Sequence, residues 1–281
     1  MDRDGFYVTE REPRIFVERF VPGEGEPQAT VLCLPGIGNY GWYFTPLARY
    51  LNTRGISVHA VDYRGTGLSR GTRWDVPSLE VWCGDVAAAL GALPSRAPAF
   101  LLGHSIGAAL AIQAIVPLQS KVVGLVVVAP AMSVDSKPIP WVNYLLFPIA
   151  SVLSSRPMLR IPIPTCEEMV GNHADEELAQ ALQVEPYRLA HMTSRCGMTI
   201  NTIRTREAAR SAAIRTTLPV AVVCGENDAA LDGTIQYHDA LGSADKTLIV
   251  LPRQHHHLLR SPQQTEVFRE IAAWLELHIH G

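Results

Sequence analysis

The stretch "AFLLGHSIGAALAIQAIV" (99–116) sets an apolar run directly against a Gly-x-Ser-x-Gly pentapeptide and then an alanine-rich segment. "AFLLGH" (99–104) reads as a buried strand, and "IGAALAIQAIV" (106–116) as a helix that starts immediately after Ser105. A strand-to-helix turn this sharp lifts a serine hydroxyl clear of the sheet edge. Small residues at 103 and 107 let strand and helix approach closely. The helix N-terminus also offers unpaired N–H groups where an oxyanion would develop. Ser105 is the candidate nucleophile.

The same pattern recurs as "GLSRG" (67–71), but its surroundings differ. The strand-like "ISVHAVD" (56–62) ends well before it, and "TRWDVPS" (72–78) after it has no apolar helical period. Its glycines read as loop punctuation, which makes Ser69 a decoy.

Outward from the pentapeptide, further β-branched runs appear at "IFVERF" (15–20), "ATVLCL" (29–34), "VVGLVVVA" (122–129), "LPVAVVCG" (218–225) and "KTLIVL" (246–251). Continuous apolar strands of this kind suit a sheet covered on both faces. Helical patterns lie between or after them at "FTPLARYLNTRG", "VWCGDVAAALGAL" and "TEVFREIAAWLELHI". The alternation predicts an α/β fold with a mainly parallel central sheet flanked by helices. One interval breaks the rhythm, from "SKPIPWVNYLLFPIASVLSS" (136–155) through "HADEELAQALQ" to "RTREAARSAAI". It reads as a helical cap, residues 133–215, inserted between late strands of a core made of residues 1–132 and 216–281.

The chain has 281 residues, 47% apolar and 18% charged, with a net charge of −3. That suits one large globular core and excludes disorder as the main state. No block of basic residues occurs, so nucleic acid is not an expected partner. The five cysteines (Cys33, Cys83, Cys166, Cys196, Cys224) are irregularly spaced with no Cys-x-x-Cys pair, as expected of reduced thiols in a cytoplasmic protein. The charged start lacks the apolar core of a secretory leader, and "WVNYLLFPIASVL" (141–153) is too short to span a bilayer and contains Pro148.

A serine hydroxyl needs a base within hydrogen-bond reach, itself oriented by a third group. Loops after later parallel strands meet at the same sheet edge. "ENDAALD" (226–232) follows one such strand and "PRQHHHLL" (252–259) the next, so the order Ser, Asp, His is available. On their own, the three consecutive histidines suit a metal cluster, a pH sensor, an exposed accident or one base with two bystanders.

Together "LPGIG" (34–38), "DYRGTGLS" (62–69), "GHSIG" (103–107), "GEND" (225–228) and the terminal histidine loop resemble the α/β-hydrolase fold, specifically the monoacylglycerol lipase and lysophospholipase-like (serine aminopeptidase S33-like) group. The resemblance spans nearly the whole chain. It implies Asp228 as the acid, with Asp232 and Glu226 as alternatives. Laid on the family's usual "PGAGHELL", it implies His256 as the base, with His255 and His257 in places usually held by glycine and glutamate. It implies an oxyanion hole from the backbone N–H groups of Ile37 and Ile106, and neither metal nor cofactor. The family loop usually reads His-Gly where this chain has Pro35-Gly36.

The implied activity is hydrolysis of a carboxylic ester with an apolar acyl group, monoacylglycerol- or lysophospholipid-like, through an acyl-enzyme. Alternatives are divergent chemistry on the same fold (a thioesterase, lyase or cyclisation catalyst) and a non-catalytic ligand receptor. Trp141, Tyr144, Leu146 and Phe147 are the candidate pocket residues of the cap, which would also make transient contact with a membrane surface.

Overall fold

A computed structural model describes residues 3–8, 13–23, 25–94, 96–132, 160–162 and 191–279, the short 160–162 segment by its backbone alone. Its centre is a sheet of strands β1 (Gly5–Tyr7), β2 (Phe16–Phe20), β3 (Ala29–Leu34), β4 (Ile56–Val61), β5 (Ala99–His104), β6 (Gly124–Val128), β9 (Val220–Gly225) and β10 (Lys246–Leu251). They lie in the order β1-β2-β4-β3-β5-β6-β9-β10. From β4 to β10 every neighbouring pair is parallel, while β1–β2 and β2–β4 are antiparallel. A further pair, β7 (Arg160–Pro162) and β8 (His191–Thr193), is antiparallel and separate.

The period of two along each strand divides the core. Leu32, Leu34, Leu101, Leu125, Val127, Val220 and Val222 face one side. There they meet α2 (Leu79–Gly91), α3 (Ile106–Leu118), α4 (Ser194–Ile203), α5 (Arg206–Arg215) and α6 (Leu231–Ala240). Val31, Cys33, Leu102, Val126, Val128 and Val223 face the other side, against α1 (Thr45–Asn52) and α7 (Gln264–His278). Both faces are apolar because both are covered, and each fully buried Leu, Val or Phe adds about 1.5–3 kcal/mol. Among the described residues the expected strands and helices appear within a few residues of their predicted limits, while "SKPIPWVNYLLFPIASVLSS" and "HADEELAQALQ" lie outside those residues. No individual expectation existed for β1, β7, β8, for α4 within the helical cap, or for α6, whose "LDGTIQYHDA" lacks a clear apolar stripe.

Of the interval expected to form the cap, the described part is β7, β8, α4 and α5. Ala209, Ala212 and Ala213 of α5 lie in the same apolar layer as α3. β8 and α4 are fastened to the loop after β4 by Asp75, which accepts from Thr193 Oγ1 at 2.8 Å and pairs with the Arg195 guanidinium. Thr193 then caps α4 by accepting the Cys196 N–H.

Near the N-terminus, the guanidinium of Arg3 bridges Asp62 and Glu18 and lies over the rings of Phe16 and Tyr40. Asp62 is fully buried and accepts the N–H groups of Gly41 and Leu68, each at 2.8 Å. One carboxylate thereby ties the "DYRGTGLS" loop to a 3-10 turn at Gly41–Phe44. That turn carries Tyr43 toward the site.

Candidate active site

β5 runs into α3 with only Ser105 between them, and Ser105 takes φ 57°, ψ −119°. A non-glycine residue in this region costs on the order of 1–3 kcal/mol and persists only where its surroundings fix it. The Ser105 N–H donates to Val128 O at 3.0 Å, and its carbonyl accepts the N–H groups of Ala108, Ala109 and Ala131, each at 3.1 Å. A Cβ on Gly103 would collide with the first turn of α3, and one on Gly107 with the carbonyl oxygens of Leu34 and Pro35. The two outer glycines of the pentapeptide are thus required by close approach, as the sequence predicts.

Ser105 Oγ lies 2.8 Å from His256 Nε2, and His256 Nδ1 lies 2.9 Å from Asp228 Oδ2. The other carboxylate oxygen of Asp228 accepts the Ala230 N–H at 2.9 Å. Burial pushes the Asp228 carboxyl up, but its bond to His256, the charge there and the Ala230 N–H together hold it below the usual carboxylate range. An ionised Asp228 requires the proton of His256 on Nδ1, leaving Nε2 bare to accept from Ser105. The structure therefore brings together Ser105, His256 and Asp228 from three loops at the same sheet edge.

The alternatives fall elsewhere. Glu226 accepts the Arg253 N–H at 2.9 Å, and Asp232 sits in the first turn of α6. Ser69 is consumed structurally: its hydroxyl donates to Asp62 O at 2.5 Å and accepts the Phe16 N–H at 2.7 Å. His257 turns away from the serine and bonds Tyr43 Oη through Nδ1 at 3.2 Å. His255 is half-buried. Among the described residues, no group of three His, Cys, Asp or Glu side chains could hold a metal ion.

The Pro35-Gly36 loop packs directly on the elbow. A Cβ on Gly36 would lie 3.2 Å from both Ser105 Cβ and His104 Nδ1. Pro35 is braced from below, because its carbonyl accepts the Tyr63 hydroxyl at 2.9 Å. Tyr63 belongs to "DYRGTGLS", and its role was not foreseen. Ile37 follows at this loop and Ile106 opens α3, so both backbone N–H groups belong to segments bordering Ser105. Trp141, Tyr144, Leu146 and Phe147 lie outside the described residues.

A model of the family described as serine aminopeptidase, S33 matches residues 25–263. The chain is 23% identical over 271 residues to a monoacylglycerol lipase of Mycolicibacterium smegmatis, covering 95% of this chain and 94% of that one. It is 26% identical over 269 residues to the human monoglyceride lipase, covering 92% and 85%. Among solved structures, the monoacylglycerol lipase of Paleococcus ferrophilus superposes with a TM-score of 0.78 at 24% identity, covering 94% of this chain and 99% of that one. The chain belongs to the serine aminopeptidase S33 family and has the α/β-hydrolase fold.

Proposed function

We propose that this S33-family chain hydrolyses a carboxylic ester with an apolar acyl group through an acyl-enzyme on Ser105. The observation that carries the reading is the unbroken line of hydrogen bonds from Ser105 Oγ through both nitrogens of His256 to Asp228. His256 Nε2 takes the hydroxyl proton as Ser105 Oγ attacks the acyl carbonyl. The new oxyanion is met by the backbone N–H groups of Ile37 and Ile106. Collapse of the tetrahedral adduct expels the alkoxide, which takes the proton from His256. Water then gives a proton to His256 and attacks the acyl-enzyme, and the carboxylic acid leaves with Ser105 restored. Asp228 stays ionised throughout, holding the imidazole tautomer and stabilising the imidazolium.

The substrate is a monoacylglycerol or a lysophospholipid-like ester. The similar proteins of Mycolicibacterium smegmatis and human are a monoacylglycerol lipase and a monoglyceride lipase. The apolar run at 141–149 suits an acyl chain and transient contact with a lipid surface. Among the described residues no helix is long and apolar enough to cross a membrane, and the four described cysteines are unpaired, in keeping with a cytoplasmic setting. A fluorophosphonate probe should label Ser105 in the folded protein, and monoolein should be turned over by the wild type but not by Ser105→Ala. Folded protein that resists the probe would overturn the mechanism.

A further inference from the structure

The carbonyl of the base, His256, is held from behind by the residue that precedes the nucleophile. His104 Nε2 donates to His256 O at 3.1 Å, and since a carbonyl only accepts, the proton of His104 must be on Nε2. The Tyr43 ring stacks on the His104 ring at 4.8 Å between centroids, and Tyr43 Oη lies 3.4 Å from His104 Nε2. Tyr43 Oη is also 3.2 Å from His257 Nδ1. The protonated His104 Nε2 cannot accept from the phenol, which is a second, longer acceptor of the same N–H and donates its own proton to His257 Nδ1. His257 is then the Nε2–H tautomer. Both rings are neutral: burial, and then the neighbouring histidines, hold His104 well below the ordinary range and His257 near 3.

The same elements are joined once more, at the backbone. Arg260, just beyond the histidine loop, donates to Tyr43 O at 2.7 Å and Trp42 O at 2.6 Å and lies over the Trp42 ring. The turn that carries Tyr43 is therefore clamped to the loop that carries His256 and His257.

We propose that Tyr43 and His257 are positioning residues for the reaction: through His104 they fix the main chain of His256 so that its Nε2 meets Ser105 Oγ, and they do so as a neutral pair. Neutrality matters because His256 must become an imidazolium during acylation, and the His257 ring centroid is only 5.5 Å from that of His256. A charged neighbour there would oppose proton uptake. This inference rests on the acyl-enzyme reading above and assigns a role to the histidine and the tyrosine outside the triad.

The test compares Tyr43→Phe, His257→Leu and His257→Gln in the full chain, with kcat normalised to active sites titrated by fluorophosphonate. Tyr43→Phe keeps the ring stack and removes only Oη. His257→Gln keeps an acceptor for the phenol, and His257→Leu does not. Tyr43→Phe and His257→Leu should each lower kcat about tenfold on monoolein with KM unchanged, and His257→Gln should recover most of the loss. A role in folding alone would lower the melting temperature and the titre of active sites, not kcat per site. If kcat per site stays within twofold of wild type in Tyr43→Phe, the inference is overturned, even should His257→Leu fail to fold. A His256→Ala variant run alongside separates the two readings: if it is inactive while Tyr43→Phe is normal, only the positioning role fails; if it turns over monoolein normally, the acyl-enzyme reading fails with it.

Discussion

The nucleophile elbow and the histidine loop meet across the 2.8 Å hydrogen bond of Ser105 to His256 and the 3.1 Å bond of His104 to His256 O, yet they are built in different ways. The elbow is a local object. Its strand, turn and helix are consecutive in sequence, and the backbone of Ser105 is fixed by groups of α3, β6 and the segment just after it. The histidine loop is an assembled object. His256 is placed by Asp228 from the loop after β9, by His104 from the end of β5, and by a turn near Tyr43 that Arg260 grips from the other side. A local object tolerates few substitutions because its constraints are steric and backbone-borne. An assembled one distributes its constraints over side chains distant in sequence, so that each can be removed singly with a graded effect.

The largest effect expected on either side falls on the bond between Ser105 and His256. Ser105→Ala and His256→Ala should each reduce kcat by about 10⁴-fold or more on a monoacylglycerol ester, because nucleophile and base act as a unit. The double variant should be no worse than either single one. Steady-state assays with active-site titration check this, and an additive double loss would show the two residues working independently.

Next comes the elbow's dependence on its glycines. At Gly107 an added Cβ meets the backbone carbonyls of Leu34 and Pro35, which cannot yield without moving β3 or α3. Gly107→Ala should therefore cost about 3 kcal/mol of stability, read as a lower midpoint in urea unfolding. Gly36→Ala is the contrast. Its Cβ would sit 3.2 Å from Ser105 Cβ and from His104 Nδ1, a tight contact with side chains and not with backbone. That variant should fold with a near-normal midpoint and lose activity instead. Equal midpoints for the two would break the distinction between steric and assembled constraint.

The difference also explains what could be read in advance. "AFLLGHSIGAALAIQAIV" carries its own geometry, since apolar strand, glycine spacing and alanine-rich helix are all visible within one window. Most of the sheet was legible for the same reason, because strands buried on both faces stay continuously apolar. Asp228 and His256 needed the strand order and a resemblance, and no periodicity singles out either. Tyr63 under Pro35, and Tyr43 beside His257 at a separation of 214 residues, were illegible, because aromatic residues in apolar surroundings look alike until the fold shows which hydroxyl finds a partner. α6 was missed because its buried residues, Gly233, Thr234 and Tyr237, do not make an apolar stripe.

Buried histidines give a pH dependence that lies mostly outside the elbow. Burial, with help from Arg19, lowers His59 to about 4, burial and His256 lower His257 to about 3, and His104 lies well below its ordinary value. The unfolded chain protonates these groups near 6.5 and the folded chain does not. Below about pH 6.5 the unfolded state therefore binds more protons, and stability falls with falling pH by about 1.4 kcal/mol per pH unit for each group until its folded pKa is reached. Above that pH they contribute no slope. The melting temperature should hold steady from about pH 8 to 7 and drop steeply below about pH 6. His59→Leu, in the sheet and away from the catalytic loop, should flatten the drop while leaving activity near neutral pH intact. An unchanged slope would assign the acid lability to other groups.

The smallest effect is expected at the first histidine of the three. The backbone around His255 is already fixed by other means: the Asn227 N–H donates to Gln254 O at 2.9 Å, and Gly225 lies so close beneath that a Cβ there would collide with that carbonyl. The side chain of His255 is only half-buried, and it is His256 that donates to Asp228 through Nδ1 and accepts from Ser105 Oγ through Nε2. Truncating it should leave the loop's path unaltered, so His255→Ala should keep kcat/KM within about threefold of wild type, against the loss of about 10⁴-fold at its neighbour. A larger loss, with an unchanged melting temperature, would mean that the assembled half of the site extends one residue further toward the substrate than its hydrogen bonds indicate.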